Sequence, residues 1–175
     1  SGAGSLVLLA GEAGIGKTRL AMELCYEAQR LGIPVHAGSC APPEAALCAA
    51  PFQGLMPVLA AIADRCRELG PGETERILGP RARLLARVHP PIAELPGNEA
   101  WPEPDRAPSE SLLVACMVET LHAFCDNEPR LVIVDDLQMA DGPTLGLLGR
   151  LSLVRALPLL VVAGYRPEEL AAPAV

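Results

Sequence analysis

The sequence predicts an α/β domain in which helices cover both faces of a mostly parallel sheet, giving three layers. Two observations support this: short apolar runs alternate with amphipathic segments, and the polar residues of interest lie just after the apolar runs. The chain has 175 residues, 50% of them hydrophobic and 20% charged. This length and composition suit one globular domain with a substantial core.

Four apolar runs predict strands at residues 5–10, 34–40, 131–134 and 157–164. The first run is typical of a buried strand, and the second is less apolar and suits an edge. Helical spacing or capping signals predict helices over residues 17–31, 52–69 (broken or started again at Pro57), 73–88, 109–126 and 141–154. In the first helix, Leu20, Leu24, Ala28 and Leu31 share the apolar face. The proline-rich residues 89–108 predict a loop, and Trp101 is expected to pin it to the body.

Composition excludes several classes of function. A net charge of −7 and a pI near 5.0 argue against nucleic-acid binding through a broad basic surface. No apolar run is long enough to cross a membrane, and the N-terminus lacks the basic region of a secretory signal. The cysteines form no C-x-x-C pair, and we expect reduced core thiols in a cytoplasmic protein: Cys25, Cys40, Cys48, Cys66, Cys116 and Cys125. The histidines, His36, His89 and His122, lack the spacing of metal ligands.

A phosphate-binding loop is the most specific signal. Residues 11–18, GEAGIGKT, match G-x-x-x-x-G-K-[ST] at every fixed position, after a predicted strand and before a predicted helix. Glycines let successive amides point at phosphate oxygens, and the helix start adds a positive dipole. Lys17, the only lysine among 14 lysines and arginines, offers a compact charge, and the Thr18 hydroxyl suits Mg²⁺. The residues predicted to contact nucleotide are Gly11, Glu12, Ala13, Gly14, Ile15, Gly16, Lys17, Thr18 and Arg19. A dinucleotide site is disfavoured because the loop lacks G-x-G-x-x-G and residues 2–4 precede the strand.

Two carboxylates end the third predicted strand. Asp135 is expected to hold Mg²⁺ through a water, across from Thr18, and Asp136 to orient or deprotonate an attacking water. The alternative for Asp136 is a simple cap of the following turn. Arg166 follows the last strand, and we expect it to face the γ-phosphate and act in catalysis with Lys17 and Asp136; a solvated arginine is the alternative. Gln138 is expected to be a solvated loop residue, and the positioning of a water is the alternative. Asp141 is expected to cap a helix, and a role as a ligand is the alternative. We expect the basic cluster of Arg76, Arg81, Arg83 and Arg87 to form a solvated helix face.

The segments LVLLAGEAGIGKTRL, PFQGLMPVL, LVIVDDLQMAD and LLVVAGYRPEEL resemble, in this order, the AAA-type ATPase domain of STAND signal-transduction ATPases. Such domains occur in large ATP-binding LuxR-type transcriptional regulators. The resemblance implies that residues 11–18 form the Walker A loop and that Asp135 and Asp136 form the Walker B pair. It also implies that Arg166 senses the γ-phosphate, and that the P-loop NTPase sheet has strand order 1-4-3-2 in this chain.

The same resemblance predicts one P-loop ATPase domain over residues 1–175, with a core of 1–40 and 110–175 and an insertion of about 41–109. The family's adenine-side segment, fifth strand and lid have no counterpart here, so we expect a fragment of a larger regulator, a first strand left as an apolar edge, and weak hydrolysis. Expected partners are ATP or ADP with Mg²⁺, other domains of the same polypeptide and, through self-association, a second copy, without direct nucleic-acid or membrane binding. The alternatives are a kinase with an acceptor pocket in residues 39–110 and a non-catalytic scaffold. The resemblance favours ATP over GTP as the nucleotide. The sequence also contains no N-K-x-D motif, the motif that binds guanine.

Overall fold

The computed structural model describes residues 5–42, 50–98, 101–102, 106–154 and 157–170. Cys48 and residues 2–4, about which the sequence allowed expectations, lie outside this part. The chain order is β1 (Ser5–Ala10), α1 (Lys17–Arg30), β2 (Val35–Ser39), α2 (Met56–Leu69), α3 (Pro71–Ile77), α4 (Ala82–Leu85), α5 (Glu110–Cys125), β3 (Arg130–Asp135), α6 (Gly142–Leu151) and β4 (Leu159–Tyr165). Short 3₁₀ turns occur at Gln53–Leu55, Gly79–Arg81, Pro90–Glu94, Leu137–Met139 and Pro167–Glu169.

The four strands form a parallel sheet in the order β1-β4-β3-β2. This confirms the predicted α/β fold and its strand order. Because all strands are parallel, their carboxyl ends meet along one edge of the sheet. The two central strands, β3 and β4, therefore bring Asp135 and Arg166 to this edge, next to the loop that follows β1.

The sheet has one heavily covered face and one thinly covered face. Helices α2 to α6 pack on the first face around a large cluster of buried residues that includes Leu59, Met117 and Val134. On the other face, α1 packs across β2, β3 and β4 around a smaller cluster, whose buried members in the described part of the chain are Ala28, Leu131, Ile133 and Val162. We call these the thick face and the thin face.

The edge strand β1 and the helix α1 correct two expectations. Strand β1 is not buried, since it lies at the sheet edge with Val7 40% and Leu8 52% exposed; this matches the apolar edge implied by the family order. In α1, Leu24 is half-buried as predicted, but Leu20 and Leu31 are exposed. The helix instead packs on the sheet through Ala21, Leu24, Cys25 and Ala28, a face that includes neither Leu20 nor Leu31.

The insertion is more broken than predicted. A single helix over 73–88 is wrong, because Gly79 has a φ of +50° and Pro80 follows it, so the segment divides into α3, a 3₁₀ turn and α4. The neighbouring helix begins at Met56 with Pro57 in its first turn, as expected. Trp101 packs against the thick-face core, and its carbonyl accepts a hydrogen bond from Arg83 Nε at 2.9 Å.

The arginine cluster is not simply solvated. Arg76 is paired with Glu73 at 2.7 Å and donates to the carbonyl of Ala123 on α5 at 2.8 Å, and Arg81 is paired with Glu119 on α5 at 2.9 Å. Hydrogen bonds from Arg76, and from Arg65 on α2, hold the pKa of Glu73 at about 2. These contacts fasten the insertion to α5.

Helices α5 and α6 begin as the sequence predicts. Ser109 accepts a hydrogen bond from the amide of Leu112, and Asp141 accepts one from the amide of Thr144 at 2.7 Å. Helix α6 ends at Leu151, three residues before the expected end.

Among the described cysteines, Cys25 is half-buried, four are buried, and all are free thiols: Cys25, Cys40, Cys66, Cys116 and Cys125. No helix within the described ranges is both long and apolar enough to cross a membrane.

Candidate functional site

The loop between β1 and α1 curls because two of its glycines adopt left-handed backbone conformations. Gly14 has a φ of +79° and Gly16 a φ of +104°, which side chains with a Cβ rarely tolerate. Gly16 is the N-cap of α1 and makes no side-chain cap, so the first amides of the helix have no capping side chain from this residue. The loop therefore presents backbone amides beside a helix start, which together favour an anion.

Lys17 lies over the loop. Its ammonium donates to the carbonyl of Gly11 at 2.6 Å and to that of Glu12 at 2.9 Å. An ammonium has three N–H donors, so one more can reach an anionic oxygen. These contacts hold the only lysine of the chain at the mouth of the loop and explain why Gly11 and Glu12 take part through their carbonyls.

Thr18 joins the loop to the acidic strand end. Its hydroxyl donates to Asp135 Oδ2 at 3.1 Å, across 117 positions of sequence. The other oxygen, Asp135 Oδ1, accepts from the amide of Asp136 at 2.9 Å. A hydroxyl and a carboxylate in contact are the ligand types that Mg²⁺ prefers, so the donor set fits this metal ion.

Asp136 lies beyond Asp135 with a φ of +54°, a left-handed conformation that aspartate tolerates better than most residues. Its carboxylate does not cap the turn that follows. Instead, Oδ2 accepts from the Ser39 hydroxyl at 3.3 Å, and Oδ1 accepts from Gln138 Nε2 at 3.0 Å. Arg166 Nη2 is 3.5 Å from the same Oδ1.

Arg166 also forms an ion pair with a second carboxylate, that of Glu169. Its Nη1 lies 2.6 Å from Glu169 Oε1, and this hydrogen bond is the main reason the pKa of Arg166 is raised. Its side chain is 35% exposed, so it is neither fully solvated nor buried. The guanidinium therefore lies between Asp136 and Glu169 at the carboxyl end of β4.

Gln138 is not solvated as expected. Besides its contact with Asp136, its Nε2 donates to Glu169 Oε2 at 2.9 Å, and its Oε1 accepts from the amide of Arg166 at 3.2 Å. The sequence signal was its position three residues past Asp135, in the same turn. That signal was too weak without knowledge that β4 lies beside β3.

Other residues at the site were not singled out from the sequence. A Cβ on Gly164 would lie 2.8 Å from Asp135 Oδ1, so β4 leaves room for this carboxylate only because it has glycine there. Glu168 Oε1 accepts from the Ala13 amide at 3.2 Å and so places a negative charge on the loop. The only hint for both was their position within two residues of Arg166.

A cavity of about 230 Å³ brings most of the predicted residues together. It is lined by Ala13, Gly14, Gly16, Lys17, Thr18, Arg19, Asp135, Asp136 and Arg166. Ile15 is not among them, and its side chain is 70% exposed. Gly11 and Glu12 also lie outside the lining, where they hold Lys17.

Cys40 lies behind the site at the end of β2. Burial, with the nearby charges of Asp141, Asp136 and Asp135, raises the pKa of its thiol to about 11. The thiol is thus protonated at neutral pH, which makes it a poor nucleophile and a poor metal ligand. Among the residues that the structure describes, no group of three or more histidine, cysteine or acidic side chains is arranged to bind a metal ion by itself.

Comparison with known proteins agrees with this geometry. No curated protein matches the chain. A family model does: the model of the AAA ATPase domain matches residues 1–162, which include the whole loop, the acidic strand end and most of β4. Members of this family bind nucleotide through such a loop. The chain belongs to the AAA ATPase domain family.

Proposed function

We propose that this domain binds ATP with Mg²⁺ and hydrolyses the nucleotide slowly, as a switch within a larger signalling protein. The observation that supports this most strongly is the hydrogen bond from Thr18 to Asp135. It joins the phosphate loop to the acidic strand end, the two parts that a triphosphate and its metal ion require together. A Gly-rich turn with a purely structural role has no need of this pairing.

Each residue has a role that follows from its position. The loop amides, the start of α1 and Lys17 bind the phosphates. Thr18 and Asp135 supply the oxygen ligands for Mg²⁺, which would neutralise charge on the β- and γ-phosphates. The carboxylate of Asp136 orients a water and accepts its proton as that water attacks the γ-phosphorus. Arg166 stabilises the charge on the γ-phosphate oxygens.

A role as a switch is favoured over that of a small-molecule kinase. A kinase needs a second pocket for its acceptor beside the γ-phosphate. The buried apolar residues described between 50 and 98 belong to the thick-face core, and no residue described in this range lines the cavity at the loop. The four quoted segments support a STAND-type domain of a LuxR-type regulator, and the free thiols suit a reducing cytoplasm.

The test is Asp136→Asn, which keeps the shape of the side chain but removes its basicity. We expect ATP·Mg²⁺ to bind within about twofold of wild type, whereas single-turnover hydrolysis with excess protein falls at least about 100-fold. Asp64→Asn, at an exposed position of α2, is the matched control and should leave hydrolysis unchanged. Equal turnover in Asp136→Asn would refute its role as the base.

A further inference from the structure

We propose that Gln138 is a positioning residue that sets Asp136 and Arg166 in register with each other. The inference rests on the proposed function and extends it to a residue outside the phosphate loop and the acidic pair. Gln138 lies in the 3₁₀ turn Leu137–Met139, directly after β3. Its side chain reaches across to the end of β4, the neighbouring strand.

All three contacts of the Gln138 amide fix its orientation. Nε2 donates to two carboxylates, Asp136 Oδ1 at 3.0 Å and Glu169 Oε2 at 2.9 Å. Oε1 accepts from the backbone amide of Arg166 at 3.2 Å. Carboxylates only accept and a backbone N–H only donates, so the reverse placement of nitrogen and oxygen would lose every contact. No other neutral side chain of similar size has two donors and an acceptor arranged in this way.

The same two carboxylates are also bridged by the guanidinium of Arg166, at 3.5 Å to Asp136 and 2.6 Å to Glu169. Gln138 and Arg166 thus form a pair of bridges between Asp136 and Glu169. The neutral amide separates two like charges without adding a charge of its own. It also ties the backbone of Arg166 to the turn that carries Asp136, so a shift of either strand end moves both groups together.

Gln138 does not bind or release a proton in the reaction, and it does not line the nucleotide cavity. Its effect passes through the orientation of Asp136 and Arg166. A misplacement of about 1 Å at a reacting group lowers rates by about 100-fold. Loss of Gln138 is therefore expected to lower the rate of the chemical step and the discrimination between ATP and ADP, while phosphate binding by Lys17 and the loop persists.

The first experiment compares Gln138→Leu with Gln29→Leu, the same substitution at an exposed position of α1. We expect Gln138→Leu to lower kcat about 10- to 100-fold with KM within about threefold of wild type. The ratio of the Kd for ADP to the Kd for ATP should also fall at least about threefold. Both variants should keep a Tm close to that of wild type, and Gln29→Leu should keep wild-type kinetics. Unchanged kcat and an unchanged Kd ratio in Gln138→Leu would overturn the proposal.

The second experiment separates positioning from a merely structural role. Gln138→Glu keeps the acceptor for Arg166 but faces two carboxylates with a third, so we expect a loss of kcat at least as large as in Gln138→Leu. Adding Glu169→Gln to this variant exchanges the two groups: position 138 then has the carboxylate and position 169 has the amide, so the hydrogen bond between the two side chains can form again. We expect the double variant to recover at least about fivefold in kcat over Gln138→Glu. No recovery would overturn the pairing.

The two proposals fail in distinguishable ways. Wild-type protein without ATP-dependent turnover contradicts the proposed function and this inference together. Wild-type turnover that depends on Asp136, but not on Gln138, contradicts only the inference.

Discussion

The two faces of the sheet differ in what they contribute. On the thick face, helices α2 to α6 bury side chains such as Leu59, Ile62 and Leu121 almost completely. On the thin face, the one buried residue of α1 is Ala28. Strand β1, at the end of the sheet, forms an exposed edge. Yet β1, α1 and the loop between them contain most of the phosphate-binding groups. Stability and nucleotide binding are therefore concentrated in different parts of the molecule.

The largest expected effect tests this separation through stability. Leu59→Ala on the thick face should lower the free energy of unfolding by about 2–5 kcal/mol, because it leaves a cavity in a close-packed core. The same substitution at the half-buried Leu24 of α1 should cost about 1 kcal/mol. Urea denaturation of both variants measures the difference. Equal losses would show that the thin face is as important for stability as the thick face.

A second prediction concerns the loop. Lys17→Ala should weaken ATP·Mg²⁺ binding by about 100-fold, since it removes a charge-assisted contact to phosphate. Its Tm should stay close to that of wild type because Lys17 contacts only loop carbonyls. The exposed Arg67→Ala serves as the control, with unchanged affinity. Wild-type affinity in Lys17→Ala would refute the phosphate-loop assignment.

Gly164 lies on β4, a strand whose side chains pack into the buried clusters of both the thick face and the thin face. In Gly164→Ala the new Cβ would meet Asp135 Oδ1 at 2.8 Å and displace this carboxylate. We expect the Mg²⁺-dependent part of ATP affinity to fall about tenfold, measured by titrations with Mg²⁺ and with EDTA. Gly149→Ala, on α6 with open space around it, should leave binding unchanged. Full Mg²⁺ dependence in Gly164→Ala would mean that Asp135 tolerates the methyl group.

The smallest expected effect comes from Glu168. Its carboxylate accepts from the Ala13 amide and opposes the approach of an anion to the loop. Glu168→Gln should raise ATP affinity about two- to threefold at low salt, and the gain should shrink at high salt because the contact is exposed. Glu23→Gln on α1 is the charge-matched control. A loss of affinity in Glu168→Gln would mean that the carboxylate supports the loop.

The sequence was most informative where function is local. The residues of the loop and the pair Asp135 and Asp136 are each encoded within eight positions or fewer, so most of the cavity lining could be predicted from local motifs. The alternation of apolar runs and amphipathic segments predicted the α/β class, and the family resemblance supplied the strand order. Contacts between strand ends could not, because they depend on which strands are neighbours and in what register. Gln138 and Gly164 acquire their meaning only when β4 lies beside β3. The family order placed the strands, but it did not specify those side chains.

The errors in helix prediction have a similar origin. The sequence contains Gly79 and Pro80, which disfavour a continuous helix, but the apolar periodicity on both sides favoured one. The exposure of Leu20 followed from the small cluster under α1, which helical spacing alone does not reveal. The arginines of the insertion were predicted to be solvated from the charges of their own segment. Two of their partners, Glu119 and the carbonyl of Ala123, lie on α5, which is distant in sequence.

The central claim is that the loop and the acidic strand end form one site for a nucleoside triphosphate and its metal ion. Calorimetric titration of the wild-type chain with ATP tests it directly, once with Mg²⁺ and once with EDTA. We predict saturable one-site binding with Mg²⁺ that weakens at least about tenfold in EDTA. EDTA removes the metal ion that would join Thr18 and Asp135 to the phosphates. Binding of equal strength with and without Mg²⁺, or no binding at millimolar ATP, would contradict the account.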